Sequence, residues 1–320
     1  MNLVRYVSVF IIITAVGVLY DRYKKKWSFL DIEGQNHESI KKYLLNEGSI
    51  LNGKPILWIH NIHEVNSRHW VSFSSRNSKD LNQPYRRLCV DTIIKHCGDD
   101  FNICLIDDES FSKLIPGWDL VIDDIPDPIK KHMRYLAFTK LLFYYGGMMV
   151  PSSTLALKSF KSCYDKLLSK KDSFVGEFVD KSIVSNTLKY FPNASFMGCK
   201  KNSSTMREIM LYLEKLNDNS DEYTFEGTIN KYIYKLCEEG KISLLDGNFI
   251  GTKIKRKEIT LDDLMSNSYI NISKEAICIV IPEQDLMKRS KYQWFLRSSK
   301  KQILESDMVL TKYFTLSLGK

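Results

Sequence analysis

Short apolar segments alternate with amphipathic segments along most of the chain, and this alternation restricts the fold more than any other feature. The runs KPILWIH (54–60), FNICLI (101–106) and MMV (148–150) predict buried strands, while 85–97 and 126–147 predict helices between them. A strand, a helix and another strand in succession form the repeating unit of a parallel sheet with helices on its faces. The pattern therefore predicts an α/β fold in one domain spanning residues 51–320.

The same pattern continues beyond the third strand, without an internal repeat or a long linker. The further strands are predicted at 173–178, 194–199 and 276–281, and the further helices near 204–216 and 224–238. The composition agrees with a globular domain, because 44% of the residues are hydrophobic and 26% are charged. The seven cysteines contain no Cys-x-x-Cys pair, so they indicate neither a zinc site nor a disulfide framework.

Residues 6–20 (YVSVFIIITAVGVLY) contain no charged side chain and are followed by the basic segment DRYKKKW. As a helix these residues would rise about 22 Å, somewhat less than a typical bilayer requires. We interpret 1–26 as a transmembrane anchor with a basic flank and 27–50 as a juxtamembrane helical segment. A cleaved signal peptide and a buried core helix remain as alternatives. The positive-inside rule favours a cytoplasmic domain, but the side of the membrane stays open.

The net charge of +8 is not distributed evenly. Residues 1–26 contain five basic residues against one acidic residue, and residues 287–320 contain eight against two. The part between them is close to neutral, so it lacks the concentrated basic face that nucleic-acid binding requires. The charge distribution predicts a single-pass membrane protein that has no nucleic-acid partner.

The strand KPILWIH, the strand ICLIDDES and the helix ending in LLFYYGGMMV together resemble a known family. Over residues 53–160 the chain resembles the GT-A type sugar transferases related to capsular polysaccharide synthesis proteins. Segments 72–85 and 196–202 resemble uncharacterised proteins of large DNA viruses, which implies a host or virion membrane. The family resemblance implies a Rossmann-like mixed sheet flanked by helices, a nucleotide-sugar donor and a glycan acceptor. It places Trp58 and His60 beside the nucleotide. Gly146-Gly147, which end the long helix, allow a sharp turn into a buried strand and the close approach of a ligand, unless they only stop the helix.

The chain departs from the family at the motifs that carry its chemistry. Pro151 and Ser153 stand where metal-dependent members have Asp-x-Asp, and the family's Ser-Asp-x-x-Arg falls on Arg134, Tyr135 and Phe138. We therefore assign no metal, and no cofactor is certain. Two interpretations stay open. In a metal-independent glycosyltransferase, cationic side chains stabilise the leaving diphosphate and serines donate to a phosphate or sugar. In a degenerate relative, the protein only binds or has a structural role. The cationic and serine candidates are Arg134, Lys253, Arg297, Ser152 and Ser153.

Four carboxylates complete the set of candidates. Asp107 and Asp108 follow a strand at the edge where open α/β sheets bind ligands, so they are candidates for a ribose or a metal, or else for a turn and helix cap. Glu177 and Glu226 are candidates for the base that takes the acceptor proton, unless they are surface carboxylates. His60 with His63 and Glu64 does not have the spacing of a metal site on a strand.

Overall fold

The computed structural model describes residues 40–45, 53–62, 83–126, 129–178, 190–218, 225–255 and 257–319. The predicted anchor 1–26 and most of the segment 27–50 lie outside these ranges. Within them, no helix is both long enough and apolar enough to cross a membrane.

A six-stranded sheet forms the centre of the molecule. Its strands, in chain order, are β1 (Ile56–His60), β2 (Asn102–Ile106), β3 (Gly147–Pro151), β5 (Ser173–Phe178), β6 (Phe191–Cys199) and β7 (Ser243–Leu245). The spatial order is β2-β1-β3-β6-β5-β7. β1 is parallel to β2 and β3, β5 is parallel to β7, and β6 is antiparallel to both of its neighbours. This confirms the predicted α/β architecture with a mixed central sheet.

Two small sheets accompany the central one. β4 (Thr154–Ala156) pairs with β10 (Cys278–Val280), and β8 (Lys253–Ile254) pairs with β9 (Lys257–Glu258), both in antiparallel orientation. The sequence predicted β10 as part of 276–281, but not β4, which is only three residues long.

Helices cover both faces of the central sheet. The longer ones are α1 (Pro84–Cys97), α3 (Ile129–Tyr145), α4 (Lys161–Lys170), α5 (Ser204–Asp218), α6 (Phe225–Glu238) and α11 (Val309–Leu318). The shorter ones are α2 (Phe111–Leu114), α7 (Leu261–Met265), α8 (Glu283–Lys288), α9 (Gln293–Arg297) and α10 (Lys300–Leu304). The helices predicted from 85, 126, 204 and 224 are confirmed with small changes in their bounds.

Side chains alternate along β1, so that successive residues contact the helices on opposite faces of the central sheet. Leu57 and Ile59 enter a hydrophobic cluster that also contains Val90 and Ile93 of α1 and Tyr164 of α4. Trp58 and His60 point to the opposite face, where they contact rings of α3. A second cluster joins the first turn of α1 to the C-terminal helices. Within Leu44–Lys320, these clusters belong to one compact unit.

Gly146 and Gly147 connect α3 to β3 in a conformation that requires glycine. Their φ angles are +72° and +94°, in the region that L side chains rarely adopt. A Cβ on Gly147 would lie 2.1 Å from the carbonyl oxygen of Ile56, and a Cβ on Gly146 would lie 2.8 Å from the amide nitrogen of Lys201. The approach of β3 to β1 at Gly147, the backbone of Lys201 at Gly146 and the positive φ angles are therefore sufficient to account for the Gly-Gly pair without a ligand.

Candidate functional site

Five strands of the central sheet run in the same direction, so their carboxyl ends meet at one edge. His60 ends β1, Asp107 and Asp108 follow β2, Ser152 and Ser153 follow β3, and Glu177 lies near the end of β5. In the register of the sheet, His60 is opposite both Ile106 and Pro151. Strands are about 4.8 Å apart, so the ends of β1 and β5 are about 14 Å apart across β3 and β6. Most of the predicted site residues thus lie along one edge of the sheet.

Asp108 is the centre of a buried ion-pair cluster, called here the Asp108 cluster, which consists of His60, Asp108 and Arg134. The His60 Nε2 atom is 2.9 Å from Asp108 Oδ1. Arg134 donates from Nε to Oδ1 at 3.0 Å and from Nη2 to Oδ2 at 2.6 Å, which is the bidentate geometry of a strong guanidinium–carboxylate pair. The sequence proposed all three residues but did not pair them.

Aromatic rings enclose the cluster and fix the imidazole. The His60 ring stacks on Phe111, with centroids 5.4 Å apart, and meets the edge of Phe138 at 5.0 Å. His60 and Arg134 are both less than one-tenth exposed. Phe138, which stands at the family's arginine position, therefore packs against His60, while Arg134 supplies the cation from one helical turn earlier.

The carboxylate of Asp108 is held in its ionised form. Burial raises the pKa of Asp108, but the hydrogen bonds from His60 and Arg134 outweigh burial and hold this pKa below its ordinary value. A carboxylate offers about four acceptor sites, and these donors occupy most of them. Asp108 thus has little capacity left to accept a ribose hydroxyl.

Asp107, the neighbouring carboxylate, has a different role. Its Oδ1 accepts the backbone N–H of Ser110 at 3.0 Å, and its own N–H donates to Ser110 Oγ at 3.1 Å. This reciprocal pair is a capping box for the short 3₁₀ turn at 108–110. Of the two predictions made for this acidic pair, the helix cap describes Asp107.

Glu177 is the centre of the second arrangement, called here the Glu177 cluster, which consists of Glu177, Gly247, Thr252 and Lys253. One carboxylate oxygen is 2.6 Å from Lys253 Nζ, and the other accepts the backbone N–H of Gly247 at 3.0 Å. The Thr252 hydroxyl donates to the Glu177 carbonyl at 2.8 Å. Glu177 is only 6% exposed, so the surface alternative for this residue is wrong. Lys253 keeps about a fifth of its side chain exposed.

Buried hydroxyls follow β3. Ser152, Ser153 and Thr154 are all buried, and the carbonyl of Ser153 accepts the N–H of Ile281 at 3.1 Å. The Thr154 hydroxyl is buried without a hydrogen-bond partner among the described residues. Pro151 at the end of β3 has no side-chain donor or acceptor. These residues can form hydrogen bonds, but they do not supply the anionic oxygen ligands that Mg²⁺ or Mn²⁺ prefers.

The structure shows no cluster of metal ligands in the ranges that it describes. Within those ranges, no group of three or more His, Cys, Asp or Glu side chains is arranged to hold an ion. His63, Glu64 and the side chain of Glu226 lie outside them. The predicted base Glu226 therefore stays a prediction.

Trp58 and Arg297 are placed differently from the two clusters. Trp58 is fully buried, and its indole N–H donates to the Gly146 carbonyl at 3.1 Å. Arg297 lies on the exposed side of α9, whose Phe295 packs against Tyr85 at 5.5 Å. The nucleotide-binding roles assigned to these residues, and to Gly146 and Gly147, stay predictions.

One buried ion pair was missed by the sequence interpretation. Arg86, only 2% exposed in the first turn of α1, pairs through Nη2 with Glu283 at the start of α8. Its Nε donates to the hydroxyl of Tyr85 at 3.3 Å. Arg86 and Arg87 both lie between Tyr85 and Leu88, but Arg87 is exposed, so nothing local in the sequence distinguished the buried arginine or indicated Glu283.

No family model and no curated protein sequence matches the chain. Among solved structures, it is similar to the galactosyltransferase LgtC in complex with donor and acceptor sugar analogs, with 11% identity, 82% of this chain and 95% of that chain covered, and a TM-score of 0.39. It is also similar to apo mouse xyloside xylosyltransferase 1, with 8% identity, coverage of 71% and 97%, and a TM-score of 0.41. A third similarity is to the PaToxG glycosyltransferase, with 12% identity, coverage of 94% and 98%, and a TM-score of 0.33. Similarities of this size do not assign the chain to a family.

Proposed function

We propose that this protein is a GT-A-like glycosyltransferase that binds a nucleotide sugar at the carboxyl edge of its sheet and does not use an Asp-x-Asp-bound metal. One observation carries the proposal: polar and charged side chains from the ends of β1, β2, β3 and β5 share the edge where open α/β sheets bind ligands. The resemblance of residues 53–160 to the sugar transferases supports the same chemistry.

Lys253 is the cation that we assign to the leaving diphosphate. An ammonium group has three donors; Glu177 takes one of them at 2.6 Å, and Asp246 Oδ2 lies 3.7 Å from the same nitrogen on the more exposed side. Because the Lys253 side chain is still partly exposed, its other donors can reach a phosphate oxygen from the solvent side. Glu177 would then take the proton of the acceptor hydroxyl while the acceptor oxygen bonds to the anomeric carbon of the sugar, and the bond from that carbon to the diphosphate breaks with its electron pair leaving on the diphosphate. The Asp108 cluster stabilises the carboxyl edge of the sheet, and its charged groups are paired with one another.

The test is nucleotide binding and donor turnover by the full chain. Thermal shifts with a panel of UDP and GDP sugars, in EDTA and with Mn²⁺, should show stabilisation in EDTA by at least one of them. Release of the nucleoside diphosphate with an acceptor panel then separates transfer from binding. Binding without release would favour the catalytically inactive, membrane-tethered binding protein. No response to any nucleotide would overturn sugar transfer and favour a non-catalytic structural protein.

Lys253→Met tests the assigned cation. A hydrogen bond to a charged group is worth about 1.5–3 kcal/mol, so this variant should weaken nucleotide binding by roughly tenfold or more. Lys170→Met, at an exposed position at the end of α4, is the matched control and should bind like the wild type. Equal affinity of the two variants would remove Lys253 from the site.

We also propose that residues 6–20 hold the protein in a membrane as a single-pass anchor with the domain on the cytoplasmic side. The proposal rests on the charge-free run and its basic flank. The full chain should stay with membranes after alkaline extraction, and a variant without residues 1–26 should be released. Asn271, in an exposed Asn-x-Ser sequon, reports the side. A glycosidase-sensitive mass shift that is lost in Asn271→Gln would contradict the cytoplasmic orientation.

A further inference from the structure

A stretch of the C-terminal region, residues 288–301, combines a high density of positive charge with surface exposure. We call it the basic surface segment. It contains six basic residues and no acidic residue: Lys288, Arg289, Lys291, Arg297, Lys300 and Lys301. All of them except the half-buried Lys300 are exposed. Neither the fold nor the proposed sugar transfer accounts for this concentration.

Trp294 stands in the middle of the basic surface segment and is 49% exposed. Its neighbours Phe295 and Leu296 are buried in the second hydrophobic cluster, so α9 already has an inward apolar face. Trp294 and Arg297 are three residues apart on the helix, which places them on neighbouring positions of its outward side. What distinguishes Trp294 from other exposed apolar side chains is its position among cations, because an indole has an apolar body and a polar N–H that suit a boundary between lipid and water.

Several cations of the basic surface segment form ion pairs with exposed carboxylates from outside it. Asp262 pairs with Arg289 and with Lys291, and Asp91 pairs with Lys300 at 2.5 Å. A third carboxylate, Glu305, is 3.8 Å from Lys301. The pairs are largely exposed, and exposed pairs are weak enough to exchange for another anion.

We propose that the basic surface segment binds an anionic phospholipid surface, with Trp294 inserted at the level of the headgroups. Lys and Arg clusters are attracted by the negative potential of anionic leaflets, and tryptophan is enriched at the boundary between lipid and water. The combination of one exposed indole with surrounding cations matches both requirements. Nucleic acid fits less well, because the cations are confined to one short segment and only one exposed indole accompanies them.

Quenching of tryptophan fluorescence by brominated phosphatidylcholine tests the insertion of Trp294 in the full chain. Vesicles with and without phosphatidylserine are compared, for wild type and for Trp294→Phe. We expect a quenching component that wild type shows and Trp294→Phe lacks, only on the anionic vesicles, and that is reduced by high salt. Because residues 6–20 are identical in both proteins, an anchor there contributes equally to the two. The same quenching in both proteins on anionic vesicles would overturn the proposal.

A charge-reversed pair tests the electrostatic part. Lys288→Glu with Lys301→Glu should weaken the Trp294-dependent association with anionic vesicles by roughly tenfold or more. The matched control, Lys170→Glu with Lys171→Glu, makes the same charge change at exposed positions of α4 and its following residue and should leave the association unchanged. If both double variants lose the same amount of association with anionic vesicles, the effect comes from net charge alone, and a specific role of the basic surface segment is contradicted. Salt-dependent binding to duplex DNA without any vesicle component would assign the segment to nucleic acid instead.

Discussion

Asp108 and Glu177 are both buried carboxylates at strand ends on one edge of the sheet, but they are held in different ways. Asp108 is contacted by two side chains, one of them a bidentate guanidinium, inside a shell of aromatic rings. Glu177 is contacted by one ammonium group that is partly in water and by a backbone N–H. The first arrangement leaves little capacity for a ligand, whereas the second has a cation that can change partner.

This difference suggests a division of labour along the edge. The Asp108 cluster links β1, β2 and α3, because His60 ends β1, Asp108 follows β2 and Arg134 lies in α3. The Glu177 cluster ties the end of β5 to the loop between β7 and β8. We therefore expect loss of Asp108 to act on stability alone, and loss of Lys253 to act on ligand binding in addition to the stability lost when the buried Glu177 carboxylate has no cation.

The largest effect is expected for Asp108→Ala. Arg134 is 6% exposed and would keep a buried charge without its carboxylate, which typically costs about 3–5 kcal/mol. Denaturant unfolding should show this loss, and the double variant Asp108→Ala with Arg134→Met should lose less than the sum of the two single variants. A single-variant cost below about 1 kcal/mol would contradict a structural role for the pair.

The pH dependence of stability follows from the charge of the same residue. The pKa of the Asp108 carboxyl is lower in the folded chain than in the unfolded chain, where it is about 4. Such a carboxyl stabilises the fold at pH values above its unfolded pKa. This stabilisation is lost as the pH falls through the folded pKa. The difference in unfolding free energy between wild type and Asp108→Asn should therefore be constant above about pH 5 and should decrease below about pH 4. A difference that disappears near pH 6 would contradict the assignment, because Asp108 stays ionised there.

A smaller loss of stability is expected for Glu177→Ala. The buried N–H of Gly247 would lose its acceptor, at a cost of about 1–3 kcal/mol, while Lys253 can turn to water. Glu177→Gln keeps an acceptor for Gly247 and should cost less. Unfolding by denaturant measures both variants. If Glu177→Ala costs as much as Asp108→Ala, the two clusters are not different in the way described above.

The sequence predicted the elements of the edge better than their pairing. The apolar runs of β1, β2 and β5 determine their burial, so these strands were predicted within a few residues of their bounds. The three-residue β4 is too short to show a periodic pattern. Its hydrogen bonds come from β10, more than 100 residues later in the chain.

The partners of the buried charges were not accessible to sequence reasoning. Asp108 and Arg134 are 26 residues apart, and Glu177 and Lys253 are 76 residues apart. Arg86 and Glu283 are 197 residues apart. Asp107 and Asp108 have the same local context, and only the tertiary position of Arg134 separates a cap from an ion pair. Side-chain type predicted which residues are candidates for the site, but not which of them form ion pairs with each other.

The smallest predicted effect separates these two neighbours. Asp107→Ala removes the acceptor for the Ser110 N–H and should cost about 1 kcal/mol, the usual value for losing an N-cap. Asp107→Asn is the matched control, because asparagine is also a good N-cap and retains the acceptor oxygen; it should recover most of the loss. Denaturant unfolding of both, beside Asp108→Ala and Asp108→Asn, gives a direct comparison within one acidic pair. Since capping needs an oxygen and ion pairing needs a charge, Asn should replace Asp far better at position 107 than at 108; equal recovery at both positions would refute the distinction.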